Sequence, residues 1–307
     1  MGQDVTFHPI FARHETFHPR FGWLKKGFDK ANDDNSLFSK ESAPAVLGVG
    51  KNMVKAIKYW CLAFKVVDES RTNGKYVHKP TDFAEKLLSA NGWDPFLENP
   101  SSLWLLHWNL FKVPCFAPAW FFTFTELNKI DFSADDLLFS LKEYRARQFP
   151  SKKILDSSLN KDVNCLLRMY VERTGKKNLK EDSLDCPFTD LGIINAYTDS
   201  KRFTFNFGNK STLPPEIIVS ACLEFSSSFQ DEARTISISR LLYDAGSPGQ
   251  AFKLNESSLS GAIETVSSKA KEIHLTDTAG MIQLAYDNDP LTISEKILDG
   301  YYKKRNR

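Results

Sequence analysis

The most regular hydrophobic pattern in the chain lies between residues 43 and 88. From residue 53 onward, apolar side chains recur three, four, seven, ten and eleven positions apart, the spacing of a helix with one buried face. These side chains are Met53, Ala56, Ile57, Trp60, Ala63 and Phe64. A short helix over residues 43–47 is predicted before it, across a turn formed by Gly48-Val49-Gly50.

The residues that follow this helix predict a hairpin. Short apolar strands over residues 65–68 and 75–78 flank Arg71-Thr72-Asn73-Gly74, in which the Asn-Gly pair favours a tight turn with positive φ. Thr81 can then cap a last helix through Leu88. Helix, turn, helix, hairpin and helix is the order of a winged helix-turn-helix.

A similar order recurs towards the C terminus. The pattern predicts a helix over residues 236–243, a break at residues 246–249 and a helix capped by Asn255. A hairpin of residues 273–276 and 281–286 and a last helix with a basic tail at residues 303–307 follow. These elements indicate a second module like a winged helix.

Between the two modules the pattern is mostly helical. Ser133 and Asp136 have the spacing of a capping box, residues 163–171 predict a helix, and Pro214-Pro215 opens another through Phe225. The alternation over residues 203–207 predicts a short strand. We therefore predict a mainly α fold with small β-hairpins (α+β), in which winged helix-turn-helix modules at the N- and C-terminal ends are joined by a helical centre.

Three regions are expected along the chain. Residues 1–130 form an aromatic-rich N-terminal domain that contains a winged-helix module at about residues 43–90, since all six Trp lie in this region. Residues 131–210 form a helical middle region. Residues 211–307 form the C-terminal winged-helix-like module with its basic tail.

Composition limits where a nucleic acid could bind. Among 307 residues, 40 Lys and Arg balance 38 Asp and Glu, so any attraction to DNA must come from local patches. The apolar stretch over residues 103–124 is interrupted by His107, Lys112 and two prolines, which predicts buried core and not a membrane span. The N terminus lacks the pattern of a signal peptide, and the five cysteines form no CxxC pair. We expect a cytoplasmic protein that does not bind membranes.

The polar face of the predicted second helix is the first candidate DNA surface. It carries Lys51, Asn52, Lys55 and Lys58. A solvated helix face carries lysines in any case, but the second position of a helix-turn-helix favours DNA contact. Arg71 and Lys75 at the hairpin tip would suit phosphate contacts.

The N-terminal segment is the second candidate. His8, His14 and His18, three of the six histidines, fall within eleven positions and alternate with arginines and phenylalanines. They could bind a metal, contact phosphate or pack structurally in the core. For phosphodiester cleavage, His14 or His18 could transfer a proton and Arg20 could stabilise phosphate charge, so these three are the catalytic candidates. Arg13, Lys25 and Lys26 are the further DNA-binding candidates of this segment.

The sequence contains no familiar catalytic motif. Gly48-Val49-Gly50-Lys51 lacks the spacing of a phosphate-binding loop, and Asn52 stands where that loop has Ser or Thr. Acidic residues are scattered, without the clustered carboxylates of a recognisable nuclease site. The residues alone therefore indicate a DNA-binding protein and leave the reaction open.

Several long motifs resemble those of the bacterial domain-of-unknown-function family 4007. They are residues 17–27 (FHPRFGWLKKG), 47–61 (LGVGKNMVKAIKYWC), 92–98 (GWDPFLE) and 103–108 (LWLLHW). The resemblance extends over essentially the whole chain and is strongest before Trp120. Because several long motifs occur in order, it is far more specific than any short pattern.

The resemblance implies a function in DNA phosphorothioation, an anti-phage system in which sulfur is incorporated into DNA. Its implied partners are DNA, a cysteine desulfurase (SspA-like), an ATPase (SspC-like) and an ATP-pyrophosphatase (SspD-like). It implies DNA nicking that opens a strand for sulfur, supported by Mg²⁺ or Mn²⁺ and by no organic cofactor. It identifies no catalytic residues. The alternatives are a non-catalytic subunit that recognises DNA and recruits the sulfur enzymes, and a winged-helix transcriptional regulator.

Overall fold

The fold is mixed α+β, with about 52% of it helical and with small antiparallel sheets. This computed structural model describes residues 7–172, 186–198, 200–229, 234–278 and 280–305. The elements follow in chain order: α1 (Trp23–Asp33), α2 (Ala43–Leu47), α3 (Lys51–Ala63), β1 (Val67–Thr72), β2 (Lys75–Pro80), α4 (Asp82–Leu88), α5 (Pro100–Asn109), α6 (Pro118–Phe121), β3 (Asp131–Ser133), α7 (Ala134–Gln148), α8 (Asp156–Tyr170), β4 (Ile194–Ala196), β5 (Arg202–Phe205), α9 (Pro215–Ser226), β6 (Thr235–Ser237), α10 (Ile238–Tyr243), α11 (Pro248–Phe252), α12 (Glu256–Ser267), β7 (Ile273–Thr278), β8 (Met281–Tyr286) and α13 (Pro290–Arg305). The expected mixture of helices and small hairpins is confirmed.

The first helix–hairpin region has the predicted order of elements. Gly48 ends α2 in the left-handed conformation, with φ 63°. Asn73 and Gly74 have φ 51° and 78°, the turn that an Asn-Gly pair favours. The Thr81 side chain accepts a hydrogen bond from the Ala84 backbone N–H and so caps α4. The strands are longer than predicted, six residues each, because pairing continues along the hairpin.

Helix α1 packs closely on α3. A Cβ added to Gly27 would lie 2.3 Å from Cys61 Sγ, so only glycine permits this approach. On α3 the predicted stripe is buried except for Met53, which is partly buried; Ala56, Ile57 and Trp60 have no measurable exposure. Trp60 also donates a hydrogen bond from Nε1 to the Phe17 carbonyl at 3.0 Å, which ties α3 to the N-terminal segment.

The centre and the C-terminal region share one sheet topology. In each region, a three-residue strand (β3 or β6) comes first and is followed by helices and then by two antiparallel strands. The first strand pairs with the last one, so the strand orders are β3–β5–β4 and β6–β8–β7. The centre was expected to be mostly helical with one short strand over residues 203–207. The strand β5 confirms that prediction, whereas β3 and β4 were not predicted and complete a sheet around it. Ile236, predicted as helical, lies in β6, and α8 begins at Asp156, seven residues before its predicted start. A strand of three residues is too short to show alternation in the sequence.

One continuous aromatic core lies beneath these elements. Its largest fully buried side chains include Trp60, Trp104 and Trp120. Every residue of α5 after Pro100 is buried, as predicted for the apolar stretch over residues 103–124. None of the helices in the described ranges is long and apolar enough to cross a membrane.

Candidate nucleic-acid interface

A groove of about 420 Å³ opens between residues 10–15, helix α3 and the β1–β2 hairpin. Its lining is Ile10, Arg13, Glu15, Phe38, Val54, Lys55, Lys58, Tyr59, Leu62, Glu69, Tyr76 and Phe116. Three of the predicted DNA-binding residues, Arg13, Lys55 and Lys58, therefore lie in one concavity although they come from two separate segments. The groove joins the two candidate surfaces of the sequence into one candidate site.

The hairpin register determines which of its side chains reach the groove. The two-residue turn pairs Arg71 with Tyr76 and Glu69 with His78 across the strands. Residues two apart on a strand point to the same face, so these two cross-strand pairs share a face. Glu69 Oε2 lies 2.5 Å from Lys58 Nζ and 2.9 Å from His78 Nε2. Helix α3 and the hairpin are thus joined through a single carboxylate.

The protonation of this cluster follows from its surroundings. Burial would raise the pKa of Glu69, but its bonds from Lys58 and His78 outweigh burial and hold that pKa below its usual value. Burial lowers the pKa of His78, and the bond to Glu69 offsets this only in part. Since Nε2 of His78 faces a carboxylate, the imidazole proton is on Nε2, which donates a hydrogen bond to Glu69. A charged Glu69 between Lys58 and a neutral His78 is the resulting state.

Tyr76 stands at the exposed end of this cluster. Its side chain is half exposed, and the cationic groups of Lys58 and Arg71 lie 5.7 and 5.9 Å from its ring centroid. Arg71 is also held by a hydrogen bond from Nε to the Gly74 carbonyl at 3.2 Å. An exposed aromatic ring therefore lies between two positive charges beside the groove.

The other wall of the groove is a strained loop. Ala12, Glu15 and Thr16 all have positive φ, at 57°, 49° and 69°, which side chains other than glycine rarely adopt. The Ala12 backbone N–H donates to Asp162 Oδ1 at 2.8 Å. The loop presents the exposed Arg13 to the groove and places Glu15 Oε1 3.3 Å from Lys55 Nζ.

His14 secures this loop from inside the protein. Its Nδ1 accepts from the Thr16 backbone N–H at 3.1 Å, so Nε2 is the donor to Asp162 Oδ1 at 2.7 Å. Both side chains are buried, and burial raises the pKa of Asp162 although His14 opposes that shift. The rings of Trp60 and Trp120 enclose the imidazole.

The structure places the three catalytic candidates away from the lining of the groove. His14 has no exposure and His18 only 5%, and Arg20 lies against the rings of Phe17 and Trp23. These positions favour the structural interpretation of the two histidines. His8 stacks in parallel on Phe116 at 4.6 Å.

His8, His14 and His18 therefore lie in different environments and do not form a shared metal site. Within the described ranges, no three His, Cys, Asp or Glu side chains are placed to hold one metal ion.

The remaining predicted DNA-binding residues divide into two sets. Lys51 and Asn52 are exposed at the start of α3, and Lys75 is exposed beside the hairpin turn. Lys25 forms an ion pair with Asp29 on its own helix, and Lys26 Nζ donates to the Leu47 carbonyl at 3.1 Å. These two lysines do not line the groove.

The sequence also left some groove residues unnoticed. Glu15, Glu69 and Tyr76 line the groove, and the buried His78 contacts Glu69 behind it. None of these four is a candidate of the sequence analysis, although three of them follow from the Asn-Gly register. A two-residue turn sets Glu69 opposite His78 and Tyr76 opposite Arg71, which can be read directly from the sequence. No local sequence pattern indicates that Glu15 lines the groove, because the loop that carries Glu15 is held in place by the distant Asp162.

The candidate site is a groove with both carboxylates and basic side chains, and it lies beside the first hairpin of an α+β fold with recurring small sheets. The chain belongs to the family described as protein of unknown function DUF4007, which it matches over residues 11–302. The expected resemblance is confirmed.

Two crystal structures are similar to this chain along almost its whole length. One is of SspB and the other of magnesium ion-bound SspB; each is 35% identical, with a TM-score of 0.90, and each alignment covers 98% of this chain. The alignments cover 91% and 90% of those two chains, respectively. No curated protein matches the sequence.

Proposed function

We propose that this protein is the SspB-like component of a DNA phosphorothioation system and that it binds DNA at the groove and along the exposed face of α3. The observation that carries the proposal is the convergence of Arg13, Lys55 and Lys58 on one groove. In this proposal the protein acts in the cytoplasm, beside the cysteine desulfurase, the ATPase and the ATP-pyrophosphatase of an anti-phage system.

The order of elements supports interpreting both ends as winged helices. In the first region α3 would be the recognition helix and the β1–β2 hairpin the wing, with Arg71 and Lys75 near its tip. In the C-terminal region the corresponding helix, α12, has the sequence ESSLSGAIETVS, with two glutamates and no lysine or arginine. Phosphate contacts need positive charge, so the first module is the proposed DNA-binding one.

Nicking is the proposed reaction, because two carboxylates share the groove with the lysines. Glu15 and Glu69 would hold Mg²⁺ or Mn²⁺, ions that often take only one or two protein carboxylates together with substrate phosphates. Such an ion would neutralise charge on the scissile phosphate. Lys55 now pairs with Glu15 and Lys58 with Glu69. Lys55 is 62% exposed, and a pair this exposed contributes only about 0–1 kcal/mol, so Lys55 can turn to phosphate at small cost.

Salt-dependent DNA binding tests the first part of the proposal. The triple variant Lys51→Glu, Lys55→Glu, Lys58→Glu should bind duplex DNA more weakly. Its log–log salt slope should fall by about 0.9 for each lost phosphate contact. The matched control is Lys142→Glu, which removes a lysine paired with Asp156 far along the chain and should leave the slope unchanged. An unchanged slope in a folded triple variant would place the DNA surface elsewhere.

A supercoiled plasmid tests the second part. Nicking should convert it to open circles in Mg²⁺ or Mn²⁺ and stop in EDTA. Glu69→Gln and Glu15→Gln should abolish nicking while DNA binding persists. Binding without nicking by the unaltered protein would instead support the recruitment subunit, and binding confined to one operator sequence would support the regulator.

A further inference from the structure

The groove is lined by aromatic rings as well as by charges. Phe38, Tyr59, Tyr76 and Phe116 contribute to its walls. Contacts to the backbone of duplex DNA use charged groups and hydrogen-bond donors, tyrosine hydroxyls among them, which leaves the faces of the rings without a function there. Aromatic rings inside a basic groove are typical of surfaces on which unpaired bases stack.

Only one of these rings is open to a stacking partner. Tyr59 is buried against His14 and Trp60. Phe116 is covered by the parallel ring of His8 and by Lys65 Nζ at 4.7 Å from its centroid.

Phe38 packs on the buried imidazole of His78 and is itself only partly exposed. Tyr76, 51% exposed, is the ring that a base can reach.

The charges around Tyr76 suit a nucleotide. Lys58 and Arg71 lie over the ring at 5.7 and 5.9 Å from its centroid. A base that stacks on Tyr76 would displace these two flexible side chains towards the phosphates on either side of it. Glu69 repels phosphate, but a carboxylate accepts hydrogen bonds from the exocyclic amine of a base. The volume of about 420 Å³ falls in the range of about 300–1,000 Å³ that small-molecule pockets have, so a single nucleotide fits.

We propose that the groove takes an unpaired nucleobase, stacked on Tyr76 with its amine towards Glu69, so that the protein engages unpaired DNA in preference to continuous duplex. The neighbouring phosphates contact Arg13, Lys55 and Arg71. This inference rests on the proposed DNA binding and names the form of DNA that the groove recognises.

Fluorescence anisotropy with three labelled DNAs tests this inference: a 15-nucleotide single strand, the matching duplex, and the same duplex with a one-nucleotide bulge. All three are measured without divalent metal. The single strand and the bulged duplex should bind more tightly than the perfect duplex. Tyr76→Ala should weaken binding of those two by between about 5-fold and 150-fold, the loss of one base–aromatic stack. Tyr76→Phe should bind like the parent.

Two further variants separate stacking from folding effects. Tyr76→Leu keeps apolar bulk without a π face and should resemble Tyr76→Ala. Tyr243→Ala removes an even more exposed tyrosine (68%) from α10, outside the groove, and should change nothing. In addition, 2-aminopurine placed in the bulge should be quenched by the parent and by Tyr76→Phe, and not by Tyr76→Leu.

The outcomes distinguish this inference from the proposed function beneath it. If the perfect duplex binds as tightly as the single strand, or if the Tyr76 variants match Tyr243→Ala, the inference is overturned and DNA binding stands. If none of the three DNAs binds, both are overturned.

Discussion

Asp162→Ala should destabilise the protein strongly, because the buried Asp162 Oδ1 is the acceptor for two donors. The carboxylate receives His14 Nε2–H at 2.7 Å and the Ala12 backbone N–H at 2.8 Å, and its side chain is buried. Each donor left unsatisfied costs about 1–3 kcal/mol, so the two together cost about 2–6 kcal/mol. We expect a loss of about 3–5 kcal/mol in the free energy of unfolding, out of a typical total of about 5–15 kcal/mol.

The matched variant is Asp162→Asn, whose amide oxygen can still accept from both donors. It should cost about 1–2 kcal/mol, because it loses the charge of the acceptor and keeps the hydrogen bonds. Asp135→Ala, which removes an exposed carboxylate from α7, should change stability by less than about 0.5 kcal/mol.

Urea unfolding followed by circular dichroism measures these differences. Equal midpoints for Asp162→Ala and Asp162→Asn would refute the argument, since the hydrogen bonds would then contribute nothing.

The same variant should also release the loop that carries Arg13. Three residues of positive φ store about 1–3 kcal/mol each and persist only where the surroundings hold them. Without Asp162 the loop should relax, and trypsin should cut after Arg13 faster in Asp162→Ala than in Asp162→Asn at a temperature where both are folded. Identical cleavage rates would show that the loop does not depend on the buried pair.

Three further predictions concern the core. Trp60→Ala should cost about 3–5 kcal/mol in thermal or urea unfolding, because a fully buried indole leaves a cavity; a melt like that of the parent would contradict this. Gly27→Ala should cost about 1–3 kcal/mol by overpacking against Cys61 Sγ, and Gly50→Ala, where a Cβ meets nothing within 4 Å, is the control. Burial lowers the pKa of Lys253 from 10.5 to about 7. The unfolded chain therefore binds more protons between those pH values, so stability should rise with pH across that window, by up to about 1.4 kcal/mol per unit. Lys253→Met should lose that rise in unfolding measured from pH 7 to 10, and an equal rise in both proteins would refute the assignment.

Local chemistry determined much of this fold. The Asn73-Gly74 turn, the Thr81 cap, the Ser133–Asp136 capping box and the apolar stripe of α3 occur where the sequence predicts them. Each depends on residues within a few positions of one another, whose backbone preferences and side-chain hydrogen bonds act without the rest of the chain. The family resemblance was likewise carried by runs of adjacent residues.

Tertiary structure alone decided how the groove is built. His14 and Asp162 are 148 residues apart, and nothing near either residue in the sequence indicates the other. The lysines of α3 predicted a free basic face, but Lys55 and Lys58 pair with Glu15 and Glu69 from separate segments. Periodicity shows which face of a helix is polar, whereas its partners depend on which segments pack there. That packing minimises the free energy of the whole core, so no local sequence pattern can predict which segments meet the polar face of α3.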